Sequence, residues 1–281
     1  MVLSCIMKKT GHPGKLLRKI IMTVQRETYL RQQEEDCCCC DTAADEKTNC
    51  VICGKPLHYF PNEMMLECFR CHQLKPANAI CEDGHFVCDT CHSGRNGTVL
   101  DLLRSSNEKD PILLLHQVFR LDSVHMHGPE HHSIVPCVLI TAYRNNGGQI
   151  DYEKCLQEAW KRGQKMSGGS CGFLGVCGAA AGAGIFASII SGATPLTREQ
   201  WAVPQRLTAR CLDVMTGIGG PRCCKRTSRL AIECAADFCE KEFGVSMPVT
   251  RTACGWYRQN RECIGTDCPY FPKAEETSQT E

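Results

Sequence analysis

The chain has 281 residues, 43% of them hydrophobic, enough for one generous domain or two modest ones around a packed core. Its 32 basic and 31 acidic side chains nearly cancel, which argues against a protein whose main task is gripping nucleic acid, a task that needs a basic surface. Cysteine is the outlier at 24 residues. The stretch after Met1 to Lys9 shows no apolar run followed by a small-residue cleavage site, so a disulfide scaffold built for export is not expected.

In a reducing cytoplasm, clustered thiols serve metal ligation, iron–sulfur clusters or thiol redox chemistry. Lys15 to Gln32 is basic, with Leu16, Leu17, Ile20, Ile21 and Val24 at helical spacing, and reads as an amphipathic N-terminal helix. Glu34 to Lys47 reads as a polar linker. The four consecutive cysteines inside it, Cys37 to Cys40, cannot all converge on one tetrahedral ion and receive no role. Residues 1–47 thus form an arm, 48–95 a metal-binding module and 96–281 a helical domain.

The module holds three Cys-x-x-Cys pairs, Cys50/Cys53, Cys68/Cys71 and Cys88/Cys91, each able to grip a metal from a tight turn. Cys81 and His85 complete eight donors, two full tetrahedral shells of sulfur and imidazole suited to zinc. The run Cys81 to Cys91 resembles the central part of RING-like and treble-clef modules. A closed shell has no place for substrate, so such zinc is structural and the module offers a surface, here expected to meet a protein partner. Consecutive and cross-braced pairing both fit the spacing. His58, His72 and His92 read as ordinary surface residues.

Thr98 to Leu103 and Asp110 to Leu121 are expected as helices, the second capped by Asp110 with Pro111 at its first position. Ser133 to Asn145 follows, capped by Ser133 with Pro136 in the first turn and Asn146-Gly147-Gly148 at its end. Asp151 to Lys165, Cys171 to Ser191, Arg198 to Thr216 and Cys223 to Phe243 complete a mainly α fold. Gly172 to Ile190 carries no charge, but glycine and alanine dominate it. A membrane span is therefore not expected, and Gly178, Gly182 and Gly184 suit close backbone approach.

Two further constellations can carry chemistry. His125-Met126-His127-Gly128-Pro129-Glu130-His131-His132 concentrates imidazoles and a carboxylate before a helix, making His127, Glu130 and His131 acid–base candidates. Cys171 and Cys177 flank a glycine-rich helix start, and Cys223 and Cys224 stand beside Lys225 and Arg226 in a similar arrangement. Helix N-termini and cations can lower a thiol pKa or hold an anionic cluster, so Cys177 is a candidate nucleophile. Cys254, Cys263 and Cys268 lie in a non-periodic tail whose order a shared ligand would explain. Cys171, Cys177, Cys223, Cys224, Cys254, Cys263 and Cys268 are therefore the candidate iron–sulfur ligands. Cys137, Cys155, Cys211, Cys234 and Cys239 fall inside helices as buried hydrophobes.

From about Cys50 to Phe271 the chain resembles the family of domain of unknown function 5714, through the Cys-rich ribbon, the His-Gly-Pro-Glu-His-His run, the Cys177-Gly-Ala-Ala-Ala-Gly helix and the Cys263 to Phe271 tail. Cys155, Gly175 to Gly182 and Cys223-Cys224 are similar, over a different spacing, to the C-GCAxxG-C-C redox-protein pattern. Both resemblances imply cysteine-rich proteins of anaerobic redox or sulfur metabolism. The expected function is a redox or metallocofactor protein. The alternatives are an enzyme using a His/Cys site on a sulfur-, selenium- or methyl-containing substrate, and a non-catalytic zinc-ribbon adaptor.

Overall fold

A computed structural model describes residues 50–92 and 96–273, all within one compact unit. The expected helix over Lys15 to Gln32, the linker and Cys37 to Cys40 lie outside the described residues. The fold is mainly helical, preceded by one two-stranded antiparallel sheet.

The sheet pairs β1 (Leu57–Glu67) with β2 (Leu74–Cys81), from Leu57 opposite Cys81 to Glu67 opposite Leu74, with a bulge between Tyr59 and Met64. The turn joining the strands carries Cys68 and Cys71, and His72 in it takes a positive φ of 57°. The short helix α1 (Asp89–His92) then brings Cys91 back under the hairpin. Ribbon and bundle are stitched together: Asp89 Oδ2 accepts from the Gly168 amide at 2.9 Å.

The helices are α2 (Asn96–Ser105), α3 (Pro111–Phe119), α4 (Glu130–Asn145), α5 (Tyr152–Gly163), α6 (Ser170–Phe173), α7 (Gly178–Ser191), α8 (Ala202–Ile218) and α9 (Cys224–Phe243). Every residue of α4 from Glu130 to Tyr143 is buried, because α2, α3, α5, α7 and α9 all pack on it. An all-round apolar helix such as Ile134 to Ala142 requires that central position. Asp110 caps α3 as expected, its carboxylate accepting from Ile112 and Leu113, with Pro111 in the first turn.

Three expectations are corrected. Helix α4 starts at Glu130 rather than Ser133. Pro129 is its N-cap without a side-chain cap bond, and Ser133 lies inside the helix donating to the Trp160 carbonyl at 3.0 Å. Pro136 therefore falls beyond the first turn and removes the bond to the His132 carbonyl. Gly163 and Gly182 lie against that carbonyl, where a Cβ on either would crowd it. The helix expected over Cys171 to Ser191 is broken between α6 and α7 at Gly175, whose φ of +66° is left-handed, and Cys177 becomes the N-cap of α7. Helix α8 begins at Ala202, four residues later than expected.

The glycines of α7 do allow close packing. A side chain at Gly178 would run into the His132 ring, and one at Gly184 into Thr208 of α8. No helix among the described residues is long and apolar enough to cross a membrane. Cys137, Cys211, Cys234 and Cys239 are buried in the core, and Cys155 packs at its edge.

Candidate functional site

The ribbon gathers its eight donors into two groups in a cross-braced order. Cys50, Cys53, Cys81 and His85 form one and Cys68, Cys71, Cys88 and Cys91 the other, the first and third donor pairs sharing one centre and the second and fourth the other. Cys53 and Cys81 sulfurs lie 3.7 Å apart, Cys71 and Cys88 sulfurs 3.9 Å, and His85 Nδ1 sits 3.3 Å from Cys53 Sγ. Metal–sulfur bonds of about 2.3 Å in a tetrahedron place sulfurs about 3.8 Å apart, so each group can hold one ion without rearrangement. Backbone amides aim at the thiols: His85 N at Cys81 Sγ (3.3 Å) and Cys88 N at Cys68 Sγ (3.4 Å). Despite burial, amides of Cys71 and Cys88 draw the Cys68 thiol down to about 6, while burial and neighbouring thiols push Cys91 up to about 12.

Between ribbon and bundle lies a cavity of about 520 Å³. The ribbon contributes Tyr59, His85 and His92 to its wall, and the bundle contributes His125, His127, His132, Cys171, Arg222 and Cys224. His127 Nε2 donates to Asn260 Oδ1 and lies 3.1 Å from Glu262 Oε2, while burial and the nearby Arg222 hold its pKa down at about 4. His132 Nδ1 donates to the Met166 carbonyl at 3.0 Å.

Glu130 and His131 sit behind that wall. Glu130 is 1% exposed and meets His125 Nδ1 and His92 Nδ1, each at 3.1 Å. Burial opposes its charge, but those hydrogen bonds outweigh it and hold the carboxyl well below the usual range. His131 Nε2 donates to the His125 carbonyl, and full burial pushes its pKa down to about 3. Sequence reasoning passed over His92, which looked like a spare imidazole one residue after a ligand. The signal available was only its place at the end of the last Cys-x-x-Cys turn.

The remaining thiols divide. Cys223, Cys254, Cys263 and Cys268 line one narrow pocket with Lys225, Arg229 and Trp256. Cys171 and Cys224 face the larger cavity instead, and Cys177 caps α7 at the edge of the core. The backbone explains why neighbours part: Cys223 is the extended N-cap of α9 (φ −144°), whereas Cys224 is already helical. Helix start and cations do not lower Cys171, Cys223 or Cys224. Burial outweighs them, raising Cys171 and Cys223 and pushing Cys224 up to about 12.

The tail is ordered by side chains rather than by helix. Arg229 donates to the carbonyls of Thr252 and Ala253, the Cys254 amide bonds to the Tyr270 carbonyl at 2.7 Å, and Asn260 Nδ2 lies 3.5 Å from Cys223 Sγ. Lys225 Nζ is buried without a hydrogen-bond partner among the described residues, 4.2 Å from the centre of the Phe119 ring and 5.0 Å from that of Trp256.

Residues 99–271 match the family of unknown function DUF5714. The chain belongs to this family. The DUF5714 match covers the helical bundle and the cysteine tail. No curated protein and no solved structure matches the chain.

Proposed function

We propose that this DUF5714 protein is a redox protein carrying two structural zinc ions in its ribbon and an iron–sulfur cluster held by Cys223, Cys254, Cys263 and Cys268. The observation that carries the reading is the narrow pocket that those four thiols line beside two buried cations, Lys225 and Arg229. Among the described residues no three of these thiols are close enough for one ion. A cluster takes each thiolate on a different iron and so spaces its ligands more widely.

The charge balance also fits. A buried ammonium lacking a hydrogen-bond partner is costly, and an anionic cluster beside Lys225 would offset that cost. When bound, the cluster would supply one-electron transfer. Lys225 and Arg229 would set its potential, Asn260 would orient Cys223, and the aromatic wall of Trp256 would keep water out. Zinc suits the ribbon because thiolate-rich tetrahedral shells select it, and each closed shell is structural. The exposed Met65, Phe69 and Leu74 of the hairpin support a protein partner docking there.

Anaerobic purification with iron, acid-labile sulfide and zinc analysis tests this. The expected result is about two zinc ions per chain plus iron and sulfide in equal amounts, with an absorption that bleaches on reduction. Cys263→Ser should abolish the iron and sulfide and spare the zinc. Zinc alone, with no chromophore, removes the proposal.

A second reading, an enzyme acting on a sulfur- or methyl-containing substrate, is favoured by the size of the cavity and by Cys171, Cys224 and His127 on its wall. Cys177 does not line that cavity, so in this reading Cys171 or Cys224 would meet the substrate. Loss of turnover in Cys171→Ser and Cys224→Ser with an unchanged cluster would support it.

A further inference from the structure

We propose that His92, His125 and Glu130 form a third metal site, chemically unlike the two in the ribbon, with a coordination position open to the large cavity. It is independent of the cluster and would take a divalent first-row transition ion.

Geometry comes first. His92 Nδ1 and His125 Nδ1 each lie 3.1 Å from a Glu130 oxygen, and one donor atom from each residue falls within 4.8 Å of the other two. Bonds of about 2.0–2.2 Å from one tetrahedral ion would place such donors about 3.3–3.5 Å apart. The two rings stand 4.5 Å apart, centre to centre, above the carboxylate.

Construction of the site comes second. A carboxylate 1% exposed at the first residue of the most deeply buried helix is expensive to hold there. The chain makes room for it: a Cβ on Gly128 would run into Glu130 Oε2 and His92 Cε1. His131 donates to the His125 carbonyl from behind and fixes the loop that carries His125. The His125 amide adds a hydrogen bond to Glu130 Oε1 at 3.0 Å.

Chemistry comes third. Two imidazoles and a carboxylate are borderline-hard donors, unlike the thiolate sets of the ribbon. Three protein ligands fall short of a closed shell, and the two that line the cavity are the histidines, so the remaining position faces that space. On metal binding each imidazole offers its Nδ1 lone pair and carries its proton on Nε2. A water or a small anion would complete the shell, with Arg222 on the same wall as a countercharge for an anion.

Metal counting on the full chain tests the site. Chain reconstituted with cobalt(II) after exhaustive chelation should bind three equivalents, two giving strong sulfur-to-cobalt charge-transfer absorption and the third only weak ligand-field bands. His125→Gln and His92→Gln should each lose one equivalent and keep the charge-transfer absorption. Azide should shift the weak bands of the unsubstituted protein. Binding that stops at two equivalents in the unsubstituted protein overturns the site whether or not the variants fold. So does a third equivalent that survives both substitutions, and weak bands indifferent to azide overturn the open position.

Discussion

Asp110 Oδ2 accepts a 2.6 Å hydrogen bond from the amide of Thr250, so the residue that caps α3 also anchors the start of the cysteine tail. Its other oxygen serves Ile112 and Leu113 at 2.7 and 3.2 Å. Removing it in Asp110→Ala takes away the cap and frees the tail together. The expected loss is about 2 kcal/mol of unfolding free energy in urea titrations. Asp110→Asn, which keeps one acceptor, should lose less. A loss below about 0.5 kcal/mol for Asp110→Ala would show that the tail is held without it.

The ribbon and the bundle differ in what holds them. No described residue of the ribbon belongs to the hydrophobic core cluster, which runs from Val99 to Tyr270. Chelation should therefore melt the hairpin and spare the helices. Limited proteolysis after chelation is expected to cut within residues 57–81 while far-ultraviolet circular dichroism keeps its helical signal. A cooperative loss of helix on chelation would contradict the separation.

The parts legible in the sequence were those fixed by local chemistry. Asp110-Pro111 marked a helix start because cap and first-turn proline act within a few residues. The three paired turns and Cys81/His85 announced eight donors because a chelating turn is a short-range object. The bracing order could not be read, since it depends on how the hairpin folds back and both pairings satisfy the same count. Ser133 looked like a cap because serine commonly caps, yet Pro129 and Glu130 already start the helix one turn earlier. His92 gained meaning only when α1 was placed against His125 and Glu130, residues more than thirty positions away. Cys223 and Cys224 were read as one unit, but the change from extended to helical backbone between them sends their sulfurs to different pockets.

His116 should contribute to the pH dependence of stability. Arg229 donates to its Nε2, and burial together with that guanidinium pushes its pKa from 6.5 to about 4. Between those values the unfolded chain binds a proton that the folded chain does not, so stability rises with pH across the window. It is complete above about 6.5, declines as pH falls, and loses no more to this residue below about 4. Other buried histidines add to the slope. His116→Gln should reduce it by at most about 1.4 kcal/mol per pH unit, measured by denaturation at a series of pH values. An unchanged slope would mean that His116 titrates alike in the folded and the unfolded chain.

Packing of α7 on α4 depends on Gly178. A methyl there would have to displace the His132 ring, which the Met166 carbonyl holds from the other side. Gly178→Ala is expected to cost about 1–3 kcal/mol by overpacking, despite the better helix propensity of alanine. The control is Gly217→Ala in α8, where a Cβ meets nothing within 4 Å among the described residues and the substitution should be neutral or stabilising. Equal effects at the two positions would refute the close approach.

The potential of the proposed cluster should answer to Lys225. Its ammonium is buried, lacks a hydrogen-bond partner among the described residues and is pulled by burial down to about 8, while Glu130 and the Cys224 and Cys223 thiols work to keep it charged. A cation beside the cluster favours the reduced form, which carries one more negative charge. Lys225→Met preserves the stem packed between Phe119 and Trp256 and removes only the charge. Reductive titration followed by absorption should then show a midpoint moved to more negative potential with iron and sulfide content unchanged. A variant with the wild-type midpoint would place the cluster elsewhere than the pocket of Cys223 and the tail.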